Sequence, residues 1–274
     1  MSSAYNIQEQ QAAEAFNKQS SVFDKIYSPN IIIQYKRKRV REHVEIFLKP
    51  QSNILELNAG TGDDAIYFAL KGHRVHATDI AENMQDVLMR KVADQGLQNM
   101  VSTELCSFNH LASMSNKGPY DLIFSNFAGL NCTGELDKVL QSFSSFLQPG
   151  GLVTLVVMPP FCLWETLLCL KGNFKTAFRR FNSGRGVTAH IEGTWFTCWY
   201  YSPSFIEKCL GNEFDVLSVE GLCTIVPPSY FENFPVKYPH FYAWLQNAEA
   251  NLKRKLPWKN IGDYFIITLR KKTK

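Results

Sequence analysis

The 274-residue sequence lacks a strong net charge, a long apolar run and paired cysteines. Its 29 basic and 25 acidic residues leave a net charge of +4, which is too small by itself to indicate a nucleic-acid or membrane surface. The apolar stretch at 152–158 is far too short to span a bilayer. Residues 1–11 are polar and lack the apolar segment of a secretory signal peptide, so we expect a cytoplasmic protein with no membrane span.

The sequence also lacks paired cysteines. Its seven cysteines are scattered, and none of them forms a C-x-x-C motif with another. This spacing argues against a zinc site or a disulfide framework and favours reduced thiols in a cytoplasmic protein. We therefore predict no metal site.

Strand-length and helix-length segments alternate between residues 53 and 158. The segment 120–125 is apolar from Leu122 to Phe124, which is typical of a strand buried on both faces. A repeated β-α-β pattern with short loops specifies a parallel sheet with helices on both faces, a doubly wound α/β fold. The predicted strands are 53–57, 74–78, 101–105, 120–125 and 152–158, and the predicted helices are 63–71, 83–95 and 134–147.

Regions of different character lie on either side of this alternation. Residues 8–48 are predicted to be helical in two pieces, separated by the turn residues at 27–30. The basic run at 36–39 within them is predicted to be a solvated helix face. The aromatic-rich segment 159–201 interrupts the alternation and is interpreted as an insertion. A helix at 203–210, a strand at 214–225, a helix at 240–255 and a last strand at 264–270 are predicted to follow.

These segments suggest three parts of the chain. An N-terminal helical segment covers residues 1–48, and the α/β core is made of 49–158 and 202–274. The insertion at 159–201 is predicted to be a cap over a substrate pocket.

A glycine-rich turn follows the first predicted strand, where doubly wound folds bind cofactors. Its sequence at 60–65, G-T-G-D-D-A, satisfies the G-x-G-x-x-A pattern of nicotinamide enzymes. The carboxylates of Asp63 and Asp64 would repel a pyrophosphate at this helix end, whereas a cofactor with an ammonium and a sulfonium tolerates them. Helix capping is the structural alternative for either residue. Asp79, at the end of the second strand, can accept ribose hydroxyls in both cofactor classes.

Several further motifs occur along the chain before and after the glycine-rich turn. Besides the loop at 54–62, they are A-T-D-I at 77–80 with Asn83-Met84, Y-D-L-I at 120–123 and L-Q-P-G-G at 147–151. Together these motifs make the span 54–158 similar to class I S-adenosylmethionine-dependent methyltransferases, particularly the group of ubiquinone and menaquinone biosynthesis methyltransferases.

The resemblance implies a cofactor, S-adenosylmethionine, and a set of residues that bind it. It also implies a Rossmann-like seven-stranded sheet whose last strand is antiparallel and inserted beside the fifth. Asn58 replaces the first glycine of the usual E/D-x-G-x-G-x-G loop, and asparagine tolerates left-handed backbone angles better than most residues. In that family, an acidic residue often follows the third strand near the adenine amine. Ser107 or Asn109 is predicted to substitute for it in this sequence. The implied cofactor-binding residues are Glu56, Asn58, Gly60, Gly62, Asp79, Ile80, Met84, Ser107, Phe108 and Asn126.

The resemblance implies methyl transfer, which is an in-line displacement that depends mainly on alignment of the reactants. A protonated acceptor also needs a general base, for which His190 is the first candidate and His240 the second. The aromatic residues of the cap either line an apolar or aromatic acceptor site or attach the cap to the core. Arg179 and Arg180 either bind an acidic acceptor or lie at an exposed helix end. The aromatic residues are Trp164, Trp195, Phe196 and Trp199.

We therefore predict transfer of a methyl group to a small molecule, by O- or N-methylation. The P-P-F sequence at 159–161 follows the fifth strand rather than the fourth, and this position argues against a nucleic-acid substrate. One alternative is a protein of the same fold that binds the cofactor without catalysis. The G-x-G-x-x-A pattern leaves a nicotinamide-dependent oxidoreductase as a weaker alternative. The oligomeric state is left open.

Overall fold

A computed structural model describes residues 7–172, 174, 179–191 and 193–273. Seven strands form one sheet and two form a separate hairpin. The strands are β1 (Asn53–Leu57), β2 (Arg74–Asp79), β3 (Val101–Leu105), β4 (Tyr120–Ser125), β5 (Leu147–Val157), β6 (Val187–Ile191), β7 (Thr194–Cys198), β8 (Phe214–Leu222) and β9 (Tyr264–Lys271).

The order of the sheet is β3-β2-β1-β4-β5-β9-β8. β1 to β5 are parallel, whereas β9 lies antiparallel between β5 and β8. The doubly wound sheet and the inserted antiparallel last strand are therefore confirmed. β5 begins earlier than predicted, because Leu147 already pairs with Tyr120 before a register shift brings Leu152 opposite Leu122.

Helices cover both faces of the sheet. The predicted helix at 134–147 is shorter in the structure, because α5 ends at Ser142 and a 3₁₀ turn follows at Phe143–Ser145. The helices are α1 (Ile7–Tyr27), α2 (Ile31–Glu45), α3 (Asp63–Leu70), α4 (Glu82–Asp94), α5 (Leu136–Ser142), α6 (Leu163–Leu167), α7 (Pro203–Leu210), α8 (Phe234–Lys237) and α9 (Pro239–Leu252). None of the helices in these described ranges is long and apolar enough to cross a bilayer.

Local sequence explains where two of the helices begin. Asn30 precedes α2, and its side-chain oxygen accepts hydrogen bonds from the backbone N–H groups of Ile32 and Ile33 at 3.0 and 3.1 Å. Ser202 caps α7 in the same way, and Pro203 occupies its first turn. Such caps satisfy N–H groups that lack partners within the helix.

The described residues of the segment 159–201 form α6, two 3₁₀ turns and the β6–β7 hairpin. Its hairpin packs on α1, where the rings of Phe16 and Phe196 lie 6.0 Å apart. The ammonium of Lys18 also donates to the Thr194 hydroxyl at 3.0 Å. The insertion therefore contacts the N-terminal helix as well as the core.

The basic run at 36–39 is not a solvated face, so that prediction is wrong. Only 1% of Lys36 is exposed, and its ammonium lies 3.5 Å from the Asp263 carboxylate and 4.6 Å from the centre of the Tyr264 ring. Arg39 is also buried and pairs with Glu220. The physical reason is that α2 packs against β8, β9 and the segment 223–263 between them, which supply buried carboxylates for its cations.

We predict that Lys36→Met destabilises the protein by roughly 1–3 kcal/mol, because a buried carboxylate then loses one of its cations. Urea unfolding followed by circular dichroism measures the change. Lys38→Met is the matched control, since Lys38 is exposed in the same helix, and it should change stability by less than about 0.5 kcal/mol. Equal effects of the two substitutions would contradict a structural role for Lys36.

Candidate active site

A cavity lies at the carboxyl ends of the parallel strands, between the loops that follow β1 to β4 and the inner face of α1. Ligands of open α/β sheets bind at this edge. Helix α1 contributes Glu9, Ala12, Phe16 and Phe23, which recur at helical spacing along one face. Helix α2 contributes Arg37. The strand loops contribute Glu56, Asn58, Ala59, Gly60, Thr61, Asp63, Asp64, Asp79, Ile80, Met84, Cys106, Ser107, Phe108, Asn126, Phe127, Gly129 and Cys132.

The loop after β1 turns sharply with the help of Asn58. Its φ of +48° lies in the left-handed region, as the substitution of asparagine for glycine predicts. Its side chain accepts a hydrogen bond from the Ser125 hydroxyl at 2.6 Å and donates one to the Asn126 carbonyl at 3.0 Å. Asn58 therefore joins the loop after β1 to the end of β4, a contact that glycine cannot make.

Two glycines of this loop have different tasks. Gly60 has a φ of +56°, lines the cavity, and would place an added Cβ in open space. Gly62 has a φ of +81°, and an added Cβ would lie 2.4 Å from Cγ of Leu88. Gly62 is not among the cavity-lining residues, so the structure assigns it to the close packing of α3 on α4.

Asp79 ends β2 and points back to the loop after β1. Its carboxylate accepts hydrogen bonds from the backbone N–H groups of Gly60 at 2.8 Å and Ala81 at 2.9 Å. Burial raises the pKa of Asp79, and these backbone donors oppose the rise because they stabilise the charged form. One carboxylate thus fixes the relative positions of two cavity-lining loops.

Glu56 is a buried carboxyl group with unused capacity to accept hydrogen bonds. It is 3% exposed, and its Oε2 has no hydrogen-bond partner among the described residues. Burial raises the pKa of Glu56 well above its usual value, and the neighbouring negative charge of Asp64 adds to the rise. A cation with N–H donors in the cavity would satisfy this oxygen and favour the ionised carboxylate.

The acidic pair at the start of α3 is held by cations from neighbouring helices. Asp64 pairs with Arg37 at 3.0 Å and Arg41 at 2.7 Å, and these two arginines lower the pKa of Asp64 despite its burial. Asp63 pairs with Lys91 and Arg37. Neither aspartate caps α3, whose cap residue is Gly62, so the capping alternative is wrong. Their charges are therefore compensated within the protein.

The end of β4 enters the cavity through an uncommon backbone conformation. Asn126 donates to the Asp64 carboxylate at 2.7 Å, which connects β4 to the arginines of α2. Phe127 and Ala128 then have φ values of +49° and +62°. Consecutive left-handed residues other than glycine are costly and often occur at functional sites.

The loop after β3 receives an acid from another part of the chain. Glu9 of α1 accepts hydrogen bonds from the Ser107 hydroxyl and, at 2.9 Å, from the Asn109 amide. Glu9 is 5% exposed and lines the cavity. Sequence reasoning missed it, because its only local signal is a place on the inner face of an N-terminal helix.

The two histidines predicted as general bases lie elsewhere. His190 is exposed on the hairpin, with its ring 4.4 Å from that of Trp195. His240 is exposed near the start of α9. Neither lines the cavity, because the hairpin faces α1 and α9 packs on the other side of α2. Nine of the ten predicted cofactor-binding residues do line it, Gly62 being the exception.

None of the four aromatic residues predicted for an acceptor site lines the cavity, and three of them attach the segment 159–201 to its surroundings. Phe196 is buried against α1, Trp199 packs against the main core, and Trp164 lies 5.6 Å from the Phe231 ring. Trp195 is 60% exposed. Three of these rings therefore have packing roles.

Arg180 of the cap is buried rather than available to an acidic acceptor. Its guanidinium donates to Glu165 at 2.6 Å and to Asp263 at 2.8 Å. Cys162, Glu165 and Asp263 lie close enough together to share a metal ion, but Arg180 already supplies the positive charge at the two carboxylates. Arg179 pairs with Glu165 as well, so both arginines are parts of one ion-pair cluster.

Part of the sequence that forms this cavity is similar to known proteins. Residues 54–151 match a family model described as a methyltransferase domain. Among curated proteins, the demethylmenaquinone methyltransferase of Lactococcus lactis subsp. lactis is 28% identical over 55% of the chain and 59% of its own length. The tRNA 5-carboxymethoxyuridine methyltransferase of Escherichia coli is 30% identical over 38% of the chain and 39% of its own length. The chain thus spans less than two thirds of the length of either relative.

A solved structure shares the fold over nearly the whole chain. The [4+2]-cyclase SpnF superposes with a TM-score of 0.63 at 15% identity, covering 97% of this chain and 98% of its own. At that identity the likeness shows the fold alone. The architecture therefore extends beyond the matched segment and includes the N-terminal helices and the C-terminal strands.

We predict that Gly62→Ala destabilises the protein by roughly 2–3 kcal/mol, because it adds left-handed strain and overpacks Leu88. Gly60→Ala should cost about 1 kcal/mol, since it adds the strain without a clash. Urea unfolding of the two variants measures the difference. Equal losses would contradict the role of Gly62 in packing.

Proposed function

We propose that this chain, whose residues 54–151 match a methyltransferase-domain model, is a class I S-adenosylmethionine-dependent methyltransferase that transfers a methyl group from that cofactor to a small-molecule acceptor. The observation that carries the proposal is a buried Glu56 oxygen, which has no hydrogen-bond partner among the described residues, beside a glycine turn at the carboxyl edge of the sheet. That arrangement suits a ligand with an ammonium group better than one with a pyrophosphate. When bound, S-adenosylmethionine supplies a methyl group on an activated sulfonium.

The methionine part of the cofactor would lie beside Glu56, Asn58 and Gly60. Glu56 would accept hydrogen bonds from the ammonium, and the open space above Gly60 leaves room for close approach to the backbone. Because Arg37, Arg41 and Lys91 compensate Asp63 and Asp64, Glu56 is the carboxyl group beside the glycine turn that is left to pair with a ligand cation.

The adenosine part would lie along the loops after β2 and β3. Asp79 has lone pairs left for ribose hydroxyls besides those used by Gly60 and Ala81. Ile80 and Met84 give this end of the cavity apolar walls, and Phe108 closes it. Glu9, held by Ser107 and Asn109, would accept a hydrogen bond from the adenine amine, so the acid at this position comes from α1.

The acceptor would enter on the side of Phe16, Phe127 and Cys132. These residues favour an apolar or aromatic molecule. Among the described residues that line the cavity there is no histidine or tyrosine, and burial raises the pKa of the Cys132 thiol well above its usual range. An acceptor that presents an unprotonated nitrogen lone pair is therefore favoured over an alcohol, which needs a base.

The role of the insertion at 159–201 follows from its contacts. We propose that its hairpin holds α1 over the cavity and so acts on the acceptor site through α1. A cap on the core at 49–158 and 202–274, beside an N-terminal helical segment at 1–48, is consistent with this arrangement. We also propose a cytoplasmic location. The small-molecule acceptor is a proposal as well, and one relative is instead named for action on tRNA.

A second candidate is cofactor binding without methyl transfer. The whole-chain likeness to a [4+2]-cyclase supports this candidate, because one fold can serve more than one chemistry. Incubation with S-adenosylmethionine and a panel of amines, heterocycles and phenols separates the two. Formation of S-adenosylhomocysteine that depends on an acceptor supports methyl transfer, whereas tight binding with no turnover on any acceptor supports the second candidate.

Cofactor binding itself can be measured by calorimetric titration with S-adenosylhomocysteine. We expect saturable binding to the native protein and a loss of roughly 10-fold or more in Asp79→Asn, because two charge-assisted hydrogen bonds are weakened. Asp86→Asn is the control, since Asp86 is exposed on α4. A folded native protein that fails to bind at millimolar concentration would remove the proposed function.

A separate prediction concerns Glu9. Glu9→Gln should weaken binding of S-adenosylhomocysteine by roughly 5- to 10-fold, because an acceptor for the adenine amine is lost. The inosine analogue, which carries an oxygen in place of that amine, should bind the variant no more weakly than the native protein. A parallel loss for both ligands would show that Glu9 acts only by holding the helix in place.

A further inference from the structure

An exposed cluster of apolar side chains lies on α8 and α9, and we call Val236, Tyr238, Phe241 and Trp244 the aromatic surface. Their exposed fractions are 70%, 47%, 52% and 60%. The rings of Phe241 and Trp244 stack at 5.7 Å with an interplanar angle of 10°. Phe234 lies beneath them, 5.4 Å from the Tyr238 ring and 6.0 Å from the Phe241 ring. The cluster is therefore contiguous.

The outer face of α9 is not needed for packing. The helix buries Tyr242, Leu245 and Glu249 on its inner face, and Glu249 accepts hydrogen bonds from the backbone N–H groups of the turn after β8. Single exposed apolar residues are ordinary, but a stacked pair joined to two further apolar side chains marks an interaction surface. Its position on the side of α2 away from the cavity separates it from the site described above.

The segment that carries the aromatic surface has more basic than acidic residues. Residues 231–260 contain five basic and two acidic residues, and the acids are the exposed Glu232 and the buried Glu249. Lys253 and Arg254 use their charge on Glu220. Lys237 lies at the aromatic surface itself, with its ammonium 5.4 Å from the centre of the Tyr238 ring. The exposed Lys255 and Leu256 follow the end of α9.

We propose that the aromatic surface attaches the protein to anionic lipid bilayers from one side, with its rings in the headgroup layer and Lys237 at the lipid phosphates. Tryptophan and tyrosine are enriched at this depth, because one end of the side chain is apolar and the other is polar. Basic residues beside them add attraction to anionic lipids. The attachment is peripheral, and it does not depend on the proposed function.

A second copy of the chain fits this surface less well. A two-fold contact would bring the same patch of both copies together and place Lys237 close to its own equivalent. The like charges would then repel where the apolar contact is made. An acidic lipid surface complements both properties of the cluster.

The test is co-sedimentation of the full chain with vesicles. Vesicles of equal parts phosphatidylcholine and phosphatidylglycerol should bind the protein, more strongly at low than at high salt, and vesicles of phosphatidylcholine alone should bind it weakly. Phe241→Ala with Trp244→Ala should reduce binding at least about 10-fold. Lys237→Glu should reduce it by about 5-fold or more. All of the substituted side chains are exposed, and circular dichroism checks the folding of each variant.

Matched controls come from the same chain. Trp195→Ala removes a tryptophan of equal exposure on the hairpin, and Lys49→Glu reverses an exposed charge elsewhere; neither should change vesicle binding. Absence of binding to the anionic vesicles, or equal binding by the native protein and the Phe241/Trp244 variant, would overturn the proposal. Sedimentation equilibrium that shows a dimer abolished by the same variant would also overturn it, in favour of a second copy.

Discussion

The cavity depends on the ion pairs and the hydrogen bond of the buried Asp64 carboxylate. This carboxylate binds Arg37 and Arg41 of α2 and the side chain of Asn126 at the end of β4, so three parts of the chain meet at one group. A buried charge is tolerated only with such partners, and removal of one leaves the others uncompensated. The same pairing neutralises the start of α3, whereas Oε2 of the neighbouring Glu56 has no hydrogen-bond partner among the described residues.

A second constraint comes from α1, which covers the cavity with one helical face. Its polar contacts tie it to separate elements: Glu9 to the loop after β3, Asp24 to Thr61 and Lys91, and Lys18 to the hairpin. The N-terminal helix is therefore part of the wall of the cavity.

Much of the fold could be predicted because its signals are local. Apolar runs and turn residues placed β1 to β4, and the left-handed angle at Asn58 follows from the type of residue that replaces glycine. Predictions failed where a side chain meets a distant partner. The basic run at 36–39 has the composition of a solvated face, yet Lys36 is buried because Asp263, far along the chain, lies against it.

The sequence by itself determined the alternating α/β core, the glycine turn and nine of the residues around the cavity, since strands, turns and their loops follow from periodicity and backbone preference. Only the tertiary structure decided that Glu9 joins the site across 98 residues, that Gly62 serves packing, and that His190 and His240 lie outside the cavity. The physical reason is that pairing between distant side chains depends on how the helices pack on the sheet, and no local pattern records that packing.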